Sequence, residues 1–284
     1  MMRKWEWSKA EDDFKRAIEL DPGYGTAHQW YATLLAITGR VEQAKAEMSK
    51  ALEIDPMSHN FLADMGQMHY FAREYDEAES YCHKALEVDP NFAFAKDNLK
   101  HLYLKTGKDA QFFEVHMRTH RDYFPSSTYS TTESIIARHQ ARDREIYRRL
   151  GLRGMWKEQI EAMHTRIEGV SYHGLFFYYT LLGEKGKALE ALEKSYEHHD
   201  FMLPFANADP LFDELRSEPR FQAVSSHGSG LLNVGISRSV LSSGAGIRVA
   251  PHFYSKDEEL ELTIQEIKKI LETKAYEQHA ASAQ

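Results

Sequence analysis

Cysteine is almost absent: Cys82 is the single one in 284 residues. No internal disulfide can form, and a reducing compartment suits such a chain. Long apolar runs are missing too. The longest, Leu175 to Leu182, is far shorter than the about 20 residues that cross a bilayer. The charged start, Met1 to Trp7, is followed by no apolar stretch and does not read as a secretory signal. These absences predict a cytoplasmic protein with no membrane partner. Positive charge is also in deficit, with a net charge of -8. Broad binding to nucleic acid needs a basic face that displaces counterions, so no nucleic-acid partner is expected. The basic residues Arg142, Arg144, Arg148 and Arg149 alternate with acids and read as a solvated helix face. No Gly-Lys-Ser/Thr loop is present, and Gly244-x-Gly246 precedes a strand rather than joining a strand to a helix.

Hydrophobic residues make up 42% of the chain, enough for a sizeable core in one to three units. Their arrangement repeats. Ala17-Ile18-Glu19-Leu20-Asp21-Pro22, Ala51-Leu52-Glu53-Ile54-Asp55-Pro56 and Ala85-Leu86-Glu87-Val88-Asp89-Pro90 end three segments whose prolines are 34 residues apart. Seven residues before each leading alanine stands another, at Ala10, Ala44 and Ala78, with Phe14, Met48 and Cys82 between. Small, large and small side chains at that spacing share one helix face and let a neighbouring helix approach closely. Proline then ends the helix. A second helix belongs to each unit: Trp30, Tyr31, Leu34 and Leu35 before Gly39; Phe61, Leu62, Met65 and Met68; Phe94, Leu99, Leu102 and Tyr103 before Gly107.

This pattern resembles the tetratricopeptide repeat over about residues 5 to 121, with a first copy lacking its leading helix. The fourth copy loses the pattern around Gln111 to His120. The resemblance implies an all-α fold, an α-solenoid of helical hairpins with a small strand-helix tail. Stacked hairpins of this kind bind peptides or partner proteins in a concave groove lined by the first helix of each unit.

Beyond a turn-rich linker at 122–132, helical periodicity returns over Glu133 to Arg149, stops near Gly151 and resumes from Met155 to Ile167. Tyr172, Leu175, Phe176 and Tyr179 lead to Gly183, and Ala188, Leu192 and Ser195 reproduce the small-large-small spacing. The stretch from Leu182-Gly183-Glu184 to Phe221 resembles the end of the repeat region in bacterial winged-helix, kinase or cyclase signalling proteins. So do Trp5-Glu6-Trp7 and Thr26 to Ala32, at the start of that region. The resemblance implies a scaffold or sensor arm in signalling, with no output domain legible in this chain. Residues 133–224 are expected to form degenerate helical repeats and an end cap, and residues 225–245 a Ser/Gly-rich linker.

Gly246 to Tyr254 reads as a strand and turn. Ser255 with Glu258 forms a capping box before the amphipathic face of Leu260, Ile264, Ile267 and Leu271. The tail, 246–284, resembles the C-terminal end of class V aminotransferases, relatives of cysteine desulfurases. That likeness implies that Arg248 descends from a residue holding a substrate carboxylate, and an alternative role as a split subunit of a pyridoxal-phosphate enzyme. The cofactor-binding domain of that family has no counterpart here, so no cofactor and no enzymatic activity are expected.

The other polar candidates have plainer readings. His116 and His120 share a helix face, but Glu114 and Asp122 are offset and supply no third metal ligand, so no metal site is expected. His198-His199-Asp200 fits a helix end. Cys82 takes the large core position of its repeat. The groove carries the functional expectation, through the first-helix residues outside the packing set: Thr26, Gln29, Thr33 and Ile37; Asn60, Gln67, Tyr70 and Phe71; Phe94, Asp97, His101 and Lys105. Aromatics supply contact area and amides bond backbone, a mixture suited to an extended peptide or a partner helix. Repeats that clamp acidic chaperone tails use lysine, asparagine and arginine where this chain has Gln29, Asp64 and Asp97, which disfavours that ligand. Self-association is a further expectation, through Phe14, Ile18 and Leu20 of the incomplete first repeat.

Overall fold

The computed structural model describes residues 7–119, 129–165, 170–198, 200, 202–228, 236–239 and 248–251. They fall into two compact units, Asp13–Ser229 and the combination of Met1–Asp12 with Gly230–Gln284.

Helix follows helix from α1 (Trp7–Leu20) through α2 (Gly25–Ile37), α3 (Val41–Ile54), α4 (His59–Phe71), α5 (Tyr75–Val88), α6 (Ala93–Thr106) and α7 (Asp109–Thr119). The architecture is all-α hairpin packing of the tetratricopeptide type. Pro22, Pro56 and Pro90 lie just past α1, α3 and α5, where a missing N–H costs the helix nothing. Ala44, Met48 and Ala51 are wholly buried on α3, and Ala78, Cys82 and Ala85 on α5. Small residues are needed because the helices nearly touch. A Cβ added at Gly66 would sit 2.8 Å from Cys82 Sγ and 3.2 Å from the Ala78 carbonyl oxygen.

The turns inside the hairpins share one device. Gly39, Gly107 and Gly183 adopt positive φ at the ends of their helices, which glycine does without steric cost. Arg73 holds the corresponding place between α4 and α5 at φ 66°, a left-handed conformation that a side chain makes unfavourable. Its guanidinium donates to the Asp213 carboxylate at 2.6 Å.

Although the repeat pattern fades after Gly107, α7 is helical and buries Phe112, Met117 and Thr119. The next helix, α8 (Tyr129–His164), begins inside the expected 122–132 linker. It breaks where the periodicity stops, at Gly151, with φ 64° and ψ -166°. Stacking of Phe113 on Tyr147 at 4.0 Å and a 2.9 Å contact between His116 and Asp143 join α7 to α8. A second core forms around the hairpin α9 (Tyr172–Leu182) and α10 (Lys185–Glu197), where Phe176 stacks on Phe212 at 4.3 Å. Two 3-10 turns, Leu203–Asn207 and Pro210–Leu215, lead into α11 (Pro219–Gly228), which continues past the compositional shift at Ser225.

In the other unit, β1 (Ile236–Ser239) and β2 (Arg248–Pro251) pair antiparallel, Ile236 opposite Pro251 and Ser239 opposite Arg248. The strand expected within Gly246 to Tyr254 is thus β2. The amphipathic segment from Ser255 to Leu271 lies outside the described residues.

Candidate functional site

Helices α2, α4 and α6 are the first helices of successive hairpins and lie side by side. Polar groups tie them together in series. Gln29 of α2 donates to the Asp64 carboxylate on α4. Gln67 of α4 meets Asn98 of α6 at 3.5 Å, and the Asn98 amide donates back to the Ala63 carbonyl at 3.0 Å. Asp64 is buried, and burial pushes its pKa up to about 7 in spite of the Gln29 hydrogen bond.

Toward the C-terminal ends of α4 and α6 this face is occupied by the chain itself. Asp209, between the two 3-10 turns, is buried and accepts from the Tyr70 hydroxyl at 2.6 Å. It also meets His101 Nδ1 at 3.0 Å and caps its own turn by accepting from the Leu211 N–H at 2.9 Å. Burial alone would raise the Asp209 pKa, but these hydrogen bonds and the His101 ring outweigh it and hold the carboxyl below its ordinary value. Burial and the neighbouring Asp209 charge raise the Tyr70 phenol well above its usual value. Lys105 donates to the Pro210 carbonyl at 2.7 Å, and Arg73 donates to Asp213 at 2.6 Å. From within the segment, Arg216 donates to the Asn207 carbonyl, to the Asp209 carbonyl at 2.8 Å and to Asp213 at 2.9 Å.

The expected groove residues therefore separate into four groups. Ile37, Tyr70 and Phe71 do not stand outside the packing set as expected but are buried. For Tyr70 the physical reason is the seat it forms for Asp209. Thr26, Gln29, Thr33 and Gln67 are half-buried; Thr33 back-bonds to the Gln29 carbonyl at 3.1 Å. His101 and Lys105, also half-buried, are engaged with the 203–215 segment. Asn60 is exposed, and Phe94 and Asp97 are half-buried at the other end of α4 and α6, with Asp97 2.6 Å from Lys100.

Beside the seated segment is a cavity of about 340 Å³, walled by α4, α6, α8 and α9 together with residues of the 3-10 turns. Phe71, Phe94, Trp156, Phe177 and Phe205 contribute aromatic surface, and Gln67, Asp97, Lys100, His101 and His173 contribute polar atoms. Trp156 and His173, two of its lining residues, each carry a buried nitrogen (Nε1 and Nδ1) that has no hydrogen-bond partner among the described residues. Burial lowers the His173 pKa and keeps the ring neutral at ordinary pH. Trp156, His173, Arg73, Asp209 and Arg216 are not distinguished by the sequence pattern. Only the resemblance over Leu182 to Phe221 marks part of this neighbourhood.

Elsewhere the side chains have plain roles. Cys82 is buried and its thiol is pushed up to about 12. His198 stacks on Tyr172 at 4.7 Å, while His120, Asp122 and His199 lie outside the described residues. No cluster of metal-ligating side chains occurs among the described residues. Among these residues, also, no helix is long and apolar enough to cross a membrane. Arg248 begins β2, and its side chain lies outside the described parts. Phe14 stacks on Tyr31 at 6.4 Å and Ile18 is half-buried, whereas Leu20 is 69% exposed.

The chain carries tetratricopeptide repeats: the family pattern matches residues 6–63 and again 60–92. It is similar to Regulator of microtubule dynamics protein 1 of Mus musculus, 30% identical over 141 residues, covering 38% of this chain and 46% of that protein. The Rattus norvegicus protein of the same name is 27% identical over 154 residues, covering 42% and 49%. The chain thus spans about half the length of these curated relatives. Among solved structures it is similar to that of Pseudomonas aeruginosa pilF, at 18% identity and a TM-score of 0.42, covering 75% of this chain and 90% of the other. A tetratricopeptide repeat protein from Parabacteroides merdae gives 16% identity and a TM-score of 0.39, covering 78% and 83%.

Proposed function

We propose that this chain is a protein-interaction scaffold that receives a peptide or partner protein on the face shared by α2, α4 and α6. The observation that carries the reading is the end of that face that the 203–215 segment does not occupy. The chain's own 203–215 segment takes the end marked by Tyr70, His101 and Lys105. The other end presents exposed Asn60 beside half-buried Phe94 and Asp97. An aromatic flanked by an amide and a carboxylate supplies contact area together with backbone hydrogen bonding.

The test changes that end, and because Phe94 packs against the cluster of Leu62, Ala63, Ala85 and Ala95, the helix content of the variant is checked alongside. A partner crosslinked from cells expressing the chain is lost in the N60A/F94A/D97A variant and kept in E53A/E87A, which alters exposed positions on the second helices. Retention in the first variant removes the assignment. Tyr70 and Phe71 are unsuitable for this purpose, because both are buried and their loss perturbs folding.

The setting is a narrower proposal. The likeness of residues 182–221 to bacterial signalling repeats supports a signalling arm, whereas the named role of the mammalian relatives brings microtubules forward as a defined first partner. Co-sedimentation with stabilised microtubules, using the same two variants, separates these settings. Self-association through the first repeat is supported by the exposure of Leu20; a monomeric mass at high concentration, unchanged in L20K, rules it out.

A further inference from the structure

We propose that residues 209–213 are a built-in competitor: they fill a seat on α4 and α6 that recognises an acidic Asp-Pro-x-x-Asp segment, and they give way when a partner presents a segment of that chemistry. This rests on the reading of the α2, α4 and α6 face as an interaction surface, and it concerns the occupied end of that face.

The seat suits two carboxylates four residues apart. Tyr70 donates to one oxygen of Asp209 at 2.6 Å, and His101 Nδ1 lies 3.0 Å from the other. Arg73 donates to Asp213 at 2.6 Å, while Lys105 reaches the Pro210 carbonyl at 2.7 Å and Asp213 at 3.5 Å. Three basic side chains thus converge on one short stretch, in a chain whose net charge is -8. Arg73 is held there against its backbone preference. Gly39, Gly107 and Gly183 take the positive φ that ends their helices, whereas the turn between α4 and α5 places an arginine at φ 66°. A side chain needed for Asp213 accounts for that choice.

The contact is also of a kind that opens. The apolar side chains of the segment, Phe212 and Leu215 among them, pack with Phe176 and Leu192 in a core built between Trp156 and Val224. The bonds by which α4 and α6 hold the segment are polar. A joint within a chain stays closed when it is large and apolar, and a polar one moves. An incoming acidic peptide replaces such bonds one for one.

The probe is a fluorescein-labelled peptide of residues 207–216, with a control peptide carrying Asp209→Asn and Asp213→Asn. Both are titrated into the whole chain by fluorescence anisotropy. The parent is expected to bind weakly, because its tethered segment competes at an effective concentration of about millimolar. The chain variant Asp209→Asn/Asp213→Asn should bind the peptide at least about tenfold more tightly than the parent, the scale of one charged hydrogen bond, with no such gain for the control. Adding Arg73→Gly and Lys105→Ala to that variant removes the gain. Should the double change lower helix content, Asp213→Asn alone loosens only the outer, half-exposed contacts and gives a gain of about threefold. In the parent, excess peptide speeds hydrogen exchange across residues 203–215. No gain in either variant, a gain shared by the control peptide, a gain that survives loss of Arg73 and Lys105, or exchange unmoved by peptide overturns the proposal. The N60A/F94A/D97A change leaves the gain intact, so failure here is separate from failure of docking at the other end.

Discussion

The hydroxyl of Tyr70 and the carboxylate of Asp209 lie 2.6 Å apart, although 139 positions separate them in the chain. This contact joins the α4–α5 hairpin of the repeat region to the junction between the two 3-10 turns that follow α10. Both partners are buried, so neither has water as a substitute. Tyr70→Phe is expected to lower stability by about 1–3 kcal/mol, the cost of leaving a buried acceptor short of one donor. Asp209→Asn replaces a charged acceptor that also serves His101 and Leu211, and should cost at least as much. Urea denaturation of the two single variants and the double variant checks the point. Strictly additive losses would show that the pair does not interact.

Gly66→Ala tests the packing. Helix propensity alone favours alanine by roughly 1 kcal/mol. The added Cβ, however, would sit 2.8 Å from Cys82 Sγ and 3.2 Å from the Ala78 carbonyl oxygen. Only the first of these neighbours can be removed by mutation. We expect Gly66→Ala to destabilise, and Gly66→Ala with Cys82→Ala to recover part of the loss but not all of it. A stabilised single variant, measured by thermal unfolding, would mean that α4 and α5 are not so closely apposed.

That packing was legible in the sequence because it repeats. Ala44, Met48 and Ala51 do the same work as Ala78, Cys82 and Ala85, and a period of 34 makes the equivalence visible without any coordinates. The Gly151 break in α8 was legible for a similar reason, as helical periodicity fails there. The placement of Asp209 and Asp213 was not. Their partners Tyr70, Arg73, His101 and Lys105 are over a hundred residues away, and the 203–215 segment has no period to announce what it faces. Trp156 and His173 were hidden for another reason. Their unmade hydrogen bonds depend on which side of α8 meets α9 after the Gly151 break, and that is a property of tertiary packing.

Asp64 makes stability fall as pH rises. Its folded pKa of about 7 lies above the ordinary carboxylate value, so between roughly pH 4 and pH 7 the native state binds more protons than the unfolded chain. Stability contributed by the neutral carboxyl is present at the acid end and is lost as pH climbs through the folded pKa. Asp64→Asn removes that loss. The variant is expected to match the parent near pH 4 and to exceed it above pH 7, by on the order of a few kcal/mol. The comparison has to be made variant against parent. Glu47, Glu74, Glu79 and Asp213, whose pKa values are lowered in the fold, change stability in the opposite sense over the acid range. A constant difference between the two proteins from pH 4 to 8 contradicts the assignment.

Arg73 combines an unfavourable backbone with a useful side chain. Its left-handed φ of 66° is relieved by glycine and retained by alanine, while both lose the 2.6 Å contact to Asp213. Arg73→Gly should therefore be more stable than Arg73→Ala by about 1 kcal/mol. Against the parent, Arg73→Gly should differ little, because an ion pair this exposed is worth at most about 1 kcal/mol. Thermal unfolding of the three proteins in parallel gives the order. Equal stability of the glycine and alanine variants would show that the turn is not strained.

Arg216 holds the seated segment in shape, and geometry distinguishes it from any other cation. Its guanidinium donates to the carbonyls of Asn207 and Asp209 and to the carboxylate of Asp213, contacts that fall on both 3-10 turns and the junction between them. A planar fork with fixed donor directions can serve three such acceptors at once; an ammonium on a flexible stem cannot hold the same geometry. Arg216→Lys keeps the charge and is still expected to loosen residues 203–215, exposing the amides of Tyr70's neighbourhood on α4 to faster hydrogen exchange. Arg216→Ala should do so only slightly more. If lysine restored parental protection, charge rather than the fork would be what secures the segment against α4 and α6, and the Asp209 seat would depend on electrostatics alone.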